Sequence, residues 1–154
     1  MQRKKNLFDM IGSLIPGYQG YVEREGRRQT DKILRNQIAL LITYYEKLIN
    51  AQIRIDLNNK NFEESNTLEV CRKKLNTLSS RIKYIPYGES SFFSNSQLKE
   101  EELLQIYSKD LQIMEIIISL KKSIQTMLPG NILTKIIDVE QLLENRSNFI
   151  KELK

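Results

Sequence analysis

The chain has 154 residues, 40% apolar and 28% charged, with a net charge of +5 and no histidine. A chain of this length can bury its own core without staples, and its balance is globular rather than disordered. Six glycines and three prolines are few, which favours long helices over a many-turned β fold.

The one cysteine, Cys71, cannot form an internal disulfide. Arg3, Lys4 and Lys5 resemble the start of a signal peptide, but the apolar run after them is short, contains Asp9 and ends at Pro16-Gly17. No stretch is long and apolar enough to span a bilayer, so a cytoplasmic location is expected. The charge is uneven. Residues 1–35 hold eight basic and four acidic side chains, a net +4, and the remainder is nearly neutral.

The first segment, Asn6 to Ile15, places Leu7, Phe8, Met10, Ile11, Leu14 and Ile15 at helical spacings. Pro16-Gly17 then suits the middle of a type II turn. From Tyr21 to about Asp56 the chain reads as helix, with Leu34, Ile38, Leu41, Tyr45 and Leu48 stepping by four, three, four and three. Asn58-Asn59-Lys60-Asn61 predicts the turn, its asparagines suited to left-handed geometry. A second helix is expected from Phe62 to Ile82, on the seam Leu68, Cys71, Leu75, Leu78 and Ile82. Cys71 on that seam reads as a small buried core residue.

Tyr84 to Gln97 is the one long non-helical stretch. It carries Tyr84, Tyr87, Phe92 and Phe93, which could plug one end of a bundle or touch a partner. A third helix is expected from about Leu98 to Leu128, with Ser96 as its cap. Its seam reads as Leu104, Tyr107, Leu111, Met114 and Ile118, then Ile124 and Met127 or Leu128. Pro129-Gly130-Asn131 should stop it. The last helix should run from about Ile132 to Leu153, with Ile136, Val139, Leu143, Phe149, Ile150 and Leu153 inward.

The expected fold is therefore all-α: an antiparallel bundle of about four long helices with a short amphipathic N-terminal helix. Residues 1–20 form the N-terminal segment and turn, and residues 21–154 the bundle domain. The heptad-like spacing also admits coiled-coil packing.

Catalytic chemistry finds little support. Without histidine there is no triad base and no histidine metal ligand. No Asp or Glu is followed three residues later by another, so no helix aims two carboxylates at one ion in that way. Glu140 and Glu144 are four apart but lack a matching pair, and read as solvated surface. There is no phosphate-binding loop and no dinucleotide fingerprint. Gly17-Tyr18-Gln19-Gly20 matches a bare GXXG, but nothing around it supplies a sheet, so it reads as a turn. No catalytic residue, metal or cofactor is expected, and no small-molecule substrate.

The densest pattern runs from Leu14 to Arg35. Pro16, Gly17, Tyr18, Gly20, Tyr21, Glu25, Arg27, Arg28, Asp31, Leu34 and Arg35 make up PGY-x-GY-x-x-x-E-x-RR-x-x-D-x-x-LR. This resembles the signature of an uncharacterised bacterial family of small helical proteins. Ile82 to Phe93 is similar to that family's tyrosine-glycine-serine-phenylalanine turn between helices. The resemblance implies a helical fold and a bacterial source, and no activity.

The same run admits three physical readings. In the first, Arg27, Arg28 and Arg35 pair with Glu23, Glu25 and Asp31, and the tyrosines pack over the bundle end. In the second, Arg3, Lys4 and Lys5 meet an anionic membrane, at the inner membrane surface, while Leu7, Phe8, Ile11 and Leu14 enter its interface. In the third, the basic residues hold nucleic-acid phosphates and Tyr18 and Tyr21 stack on bases. The candidate interaction residues are Arg3, Lys4, Lys5, Phe8, Tyr18, Tyr21, Arg24, Arg27, Arg28, Arg35, Tyr87, Phe92 and Phe93. The leading expectation is a non-enzymatic scaffold or interaction module that meets a protein partner or its own copy. A peripheral membrane protein is the first alternative and a weak nucleic-acid binder the second.

Overall fold

The apolar spacing produces four long helices and one short one. The computed structural model describes residues 6–85, 87, 90–94, 97–126 and 128–153. Among them lie α1 (Leu7–Gly12), α2 (Arg27–Asn58), α3 (Phe62–Lys83), α4 (Glu100–Thr126) and α5 (Pro129–Glu152), with no strand. Single 3-10 turns cover Arg24–Gly26 and Ser91–Phe93. No helix among the described residues is long and apolar enough to cross a membrane.

Each boundary has a local cause. Asn6 caps α1 by accepting the Asp9 N–H at 2.8 Å. The following turn closes with the Tyr18 N–H donating to the Ile15 carbonyl at 3.2 Å, and Gly17 at its third position has φ +84°. The second helix begins at Arg27, not Tyr21, because the chain bends through residues 21–23, with Glu23 extended, and Arg24–Gly26 is a 3-10 turn. At its far end the Asn61 N–H donates to Asp56 and the Lys60 N–H to Leu57, a Schellman motif. Lys60, not an asparagine, takes the positive φ of 61° there.

The α4 helix ends at Thr126, just before Pro129, and α5 begins at Pro129 rather than Ile132, with the proline at its first position, where its missing N–H is no loss. Ser96 and Met127 lie outside the described residues. At the start of α4 the Glu102 carboxylate instead reaches back to the Lys99 N–H at 2.8 Å, half of a capping box.

The α4 seam also differs from expectation. Leu104 and Ile118 are 51% and 42% exposed. The buried line is Ile106, Asp110, Ile113, Ile117, Leu120 and Ile124, flanked by Tyr107, Leu111 and Met114. On α5 the corresponding line is Ile132, Ile136, Val139, Leu143, Arg146 and Ile150, with Phe149 and Leu153 half-buried beside it. Cys71 is fully buried, and burial pushes its thiol up to about 11.

Two antiparallel hairpins, α2–α3 and α4–α5, pack side by side. Tyr45 on α2 donates its hydroxyl to the Ile117 carbonyl of α4 at 3.0 Å, and Asp31 of α2 lies level with Asp110 of α4 through Arg146. These two helices therefore run the same way. Likewise Cys71 meets Pro129, Lys74 meets Glu140 and Arg81 meets Glu144, so α3 and α5 run parallel. The described residues of the crossing loop between α3 and α4 lie at the end of the bundle where α2 begins and α5 closes. That end is where the polar side chains collect.

Candidate functional site

The site is a buried network centred on Arg146. This guanidinium is 1% exposed and serves every neighbour around it. Its Nε donates to Asp110 Oδ1 at 2.6 Å. One terminal nitrogen meets Asp31 Oδ1 at 2.8 Å and donates to the Tyr87 hydroxyl at 2.9 Å. The other donates to the Tyr21 hydroxyl at 2.9 Å. One side chain on α5 thus ties α2, α4, the N-terminal segment and the crossing loop together.

The carboxylates are served in turn. Asp110 Oδ2 accepts from Tyr18 at 2.8 Å and from Tyr21 at 2.5 Å. Asp31 accepts from the Tyr87 hydroxyl at 2.9 Å on one oxygen and from Arg35 Nε at 2.9 Å on the other. Arg35 also donates to the Ile82 and Lys83 carbonyls at 3.1 and 2.9 Å, capping the C-terminus of α3. Two arginines thus face two aspartates, and no buried side-chain nitrogen or oxygen among the described residues lacks a hydrogen-bond partner. Such satisfaction is what permits charges in a core.

Arg27 does related work on the backbone. It donates to the Tyr21 carbonyl at 2.8 Å and to the Phe92 carbonyl at 3.3 Å, joining the N-terminal segment to the crossing loop. Its own burial lowers its pKa. Ser90 holds the loop from the other side, donating its hydroxyl to the Ile150 carbonyl and accepting the Phe92 N–H at 3.1 Å.

Rings fill the spaces between these polar groups. Tyr21 stacks on Tyr107 with centroids 5.7 Å apart and meets Phe92 edge-on at 5.1 Å. Phe8 of α1 packs on Tyr18 and Tyr107 at 6.0 and 5.9 Å. Gly20 sits in the middle with φ +78°, and a Cβ there would lie 2.5 Å from the Tyr107 hydroxyl and 2.8 Å from Phe8. Only glycine suits both the backbone and the space.

The phenols are held neutral. Burial raises the Tyr18 and Tyr21 pKa values well above the ordinary value, and the Asp110 carboxylate raises them further. Tyr87 is pushed up to about 12, by burial first and also by Asp31, against an opposing pull from Arg146. Burial also raises Tyr107. For Arg146, burial favours loss of the charge, but Asp110, Tyr21 and Asp31 together hold its pKa well above the ordinary value. The arrangement keeps protons where they are, which suits cohesion rather than proton transfer.

The structure therefore brings most of the sequence-selected residues to one place but turns many of them inward. Tyr18, Tyr21, Arg27 and Phe92 are buried in this network. No face of Tyr18 or Tyr21 remains for a base to stack on. Phe8 is half-buried, and α1 is seated on the bundle through fully buried Ile11, with Ile15 buried in the turn that follows. The expected ion pair between Arg35 and Asp31 is present at 2.9 Å. Arg28 instead lies over the Phe93 ring at 4.7 Å, and Arg35 lies over Tyr87 at 5.9 Å. Arg24 is exposed on the 3-10 turn. Arg3, Lys4 and Lys5 lie outside the described residues.

Asp110 and Arg146 are the residues that sequence reasoning missed. A signal was available. Continuing the apolar seams by steps of three and four puts Asp110 between Ile106 and Ile113, and Arg146 between Leu143 and Ile150. Opposite charges at core positions of two helices call for each other.

The fold and site define a helical bundle whose N-terminal segment and crossing loop are locked by a buried Asp–Arg–Tyr network. The chain matches no family model, no curated protein and no solved structure.

Proposed function

We propose that this is a non-enzymatic interaction module that works by presenting helical surface to a protein partner, its own copy included. The observation that carries the reading is the outer side of α2. Leu40, Tyr44, Ala51 and Ile55 are all exposed and step by four, seven and four, so they form an apolar stripe, crossed once by exposed Lys47, along about four turns of helix. A stripe of this kind is self-complementary when two copies meet about a two-fold axis. The buried network supports the same reading, because its charged groups are satisfied internally and act to hold the frame.

Sedimentation velocity over a wide concentration range tests the proposal. The expected outcome is concentration-dependent association that the paired changes Leu40→Glu and Tyr44→Glu weaken. A chain that stays monomeric throughout removes the self-association form. Turnover of a small-molecule substrate, lost on a single acidic substitution, would overturn the non-enzymatic reading itself.

A further inference from the structure

A hollow of about 160 Å³ opens beside the buried network, lined by Arg28, Asp31, Arg35, Ile85, Tyr87 and Phe93. Two rings stand together in its wall, Tyr87 and Phe93, with centroids 5.2 Å apart. Each ring carries one guanidinium, Arg28 on Phe93 at 4.7 Å and Arg35 on Tyr87 at 5.9 Å. A guanidinium that lies on a ring keeps its N–H groups in its own plane, so stacking leaves them able to donate. The two arginines are two turns apart on α2, which puts them on one side of that helix.

Their donors are only partly engaged. Arg35 commits Nε to Asp31 and Nη1 to the Ile82 and Lys83 carbonyls. Its Nη2 has no partner among the described residues, and since no buried side-chain nitrogen there lacks one, Nη2 reaches solvent. The Arg28 side chain is exposed and makes no hydrogen bond or ion pair among the described residues. Asp31 is the one carboxylate in the lining. Its side chain is 2% exposed, and both oxygens are occupied, one by Arg146 and Tyr87 and the other by Arg35. Arg28, Arg35 and Arg146 thus stand around two carboxylates, Asp31 and Asp110, and the excess positive charge is that of Arg28. The described chain nearby does not cancel it. Glu23 and Glu25 precede α2, but Arg24, Arg27 and Lys32 outnumber them, and Lys83 ends α3 beside Arg35.

We infer that this hollow binds a carboxylate carried on an apolar stem, the carboxylate held between Arg28 and Arg35 Nη2 and the stem against Ile85 and Phe93. The edge of a guanidinium matches the two oxygens of a carboxylate. A monoanion equals the excess charge, whereas a phosphate dianion would bring a second negative charge close to Asp31. The carboxylate belongs either to a free organic acid or to the end of a peptide chain with an apolar last residue. The inference goes beyond the interaction reading and stands whether or not the chain associates through α2.

The test is a titration of the isotope-labelled full chain at fixed ionic strength, read at the Nε–H resonances of Arg28 and Arg35. The probes are butyrate, the peptide acetyl-Ala-Ala-Leu with a free carboxyl terminus, the same peptide amidated, and inorganic phosphate. Butyrate or the free-acid peptide should move both resonances saturably, and the amide should not. Arg28→Gln, read at Arg35, should weaken binding about tenfold or more. Arg28→Lys keeps the charge but not the planar fork, and should fall between Arg28→Gln and the wild type. Arg28 is exposed and touches the network only through a ring, so both variants should unfold at the wild-type temperature. Tighter binding of the peptide assigns the site to a chain terminus and tighter binding of butyrate to a free acid, and each supports the inference. No saturable shift with either carboxylate overturns it. So does equal binding of the amide, undiminished binding in Arg28→Gln, or phosphate binding tighter than both carboxylates.

Discussion

The two ends of the bundle are built by different means. At the end holding the start of α2 and the close of α5, cohesion comes from Asp31, Asp110, Arg146 and Arg35 with three phenols among them. At the opposite end, around Ile49, Ile53, Leu68, Cys71, Ile124 and Ile132, cohesion comes from apolar contact. Apolar packing is non-directional and tolerates small changes of shape. A charged network is directional, and deleting one member strands the others. The polar end therefore fixes where the N-terminal segment and crossing loop must lie. The apolar end chiefly supplies stability.

Substitution at the two ends should expose this difference. Arg146→Met removes the hub and leaves Asp31 and Asp110 buried without it, so denaturant unfolding should show a loss of about 3–5 kcal/mol. Ile49→Val at the apolar end should cost about 0.5–1.5 kcal/mol. Equal losses would mean that the network is solvated and the contrast false.

Alkaline pH should loosen the polar end first. Tyr18, Tyr21 and Tyr87 have folded pKa values above the ordinary 10.0, so the fold binds these protons more tightly than the unfolded chain does. Their contribution is complete below pH 10 and falls as pH rises, through about 12 for Tyr87. Hydrogen exchange should show the N-terminal segment opening in this window before the α2–α3 turn. The reverse order would refute the assignment of raised values to this end.

A finer probe is Gly20→Ala. The new methyl would meet Tyr107 and Phe8 and must also accept a positive φ. A loss of about 1–3 kcal/mol is expected in thermal unfolding. Gly130→Ala, where a Cβ meets nothing within 4 Å, should be close to neutral.

Much of the fold was legible because its signal is local. Leu68, Cys71, Leu75, Leu78 and Ile82 declare one buried face, and all five are buried. The site was legible only in part. The run from Tyr18 to Arg35 and the loop holding Tyr87, Phe92 and Phe93 stood out by composition, and the structure joins them. Asp110 and Arg146 did not stand out, because each looks like a polar residue at the margin of an apolar seam. Their burial depends on partners on other helices, and Tyr21 and Arg146 are 125 residues apart. The spacing can put each on a core seam, but it does not show which partners they meet there. The α2–α3 turn falls where its asparagines predict it, but a closed Schellman pair of hydrogen bonds puts the left-handed conformation on Lys60.

That separation of 125 residues between Tyr21 and Arg146 also orders events in time. Each hairpin closes over a short loop and can form early, whereas joining distant parts of the chain costs more loop entropy and comes later. During synthesis, Tyr18, Tyr21 and Asp110 are all made before their arginine. Until α5 is nearly complete, the N-terminal segment can rest on Tyr107 and Asp110 of α4 but lacks the Arg146 bond to Tyr21. A nascent chain halted before Arg146 would hold Tyr18 and Tyr21 by α4 alone, around an Asp110 without its cation, and completion of the last helix would fasten them.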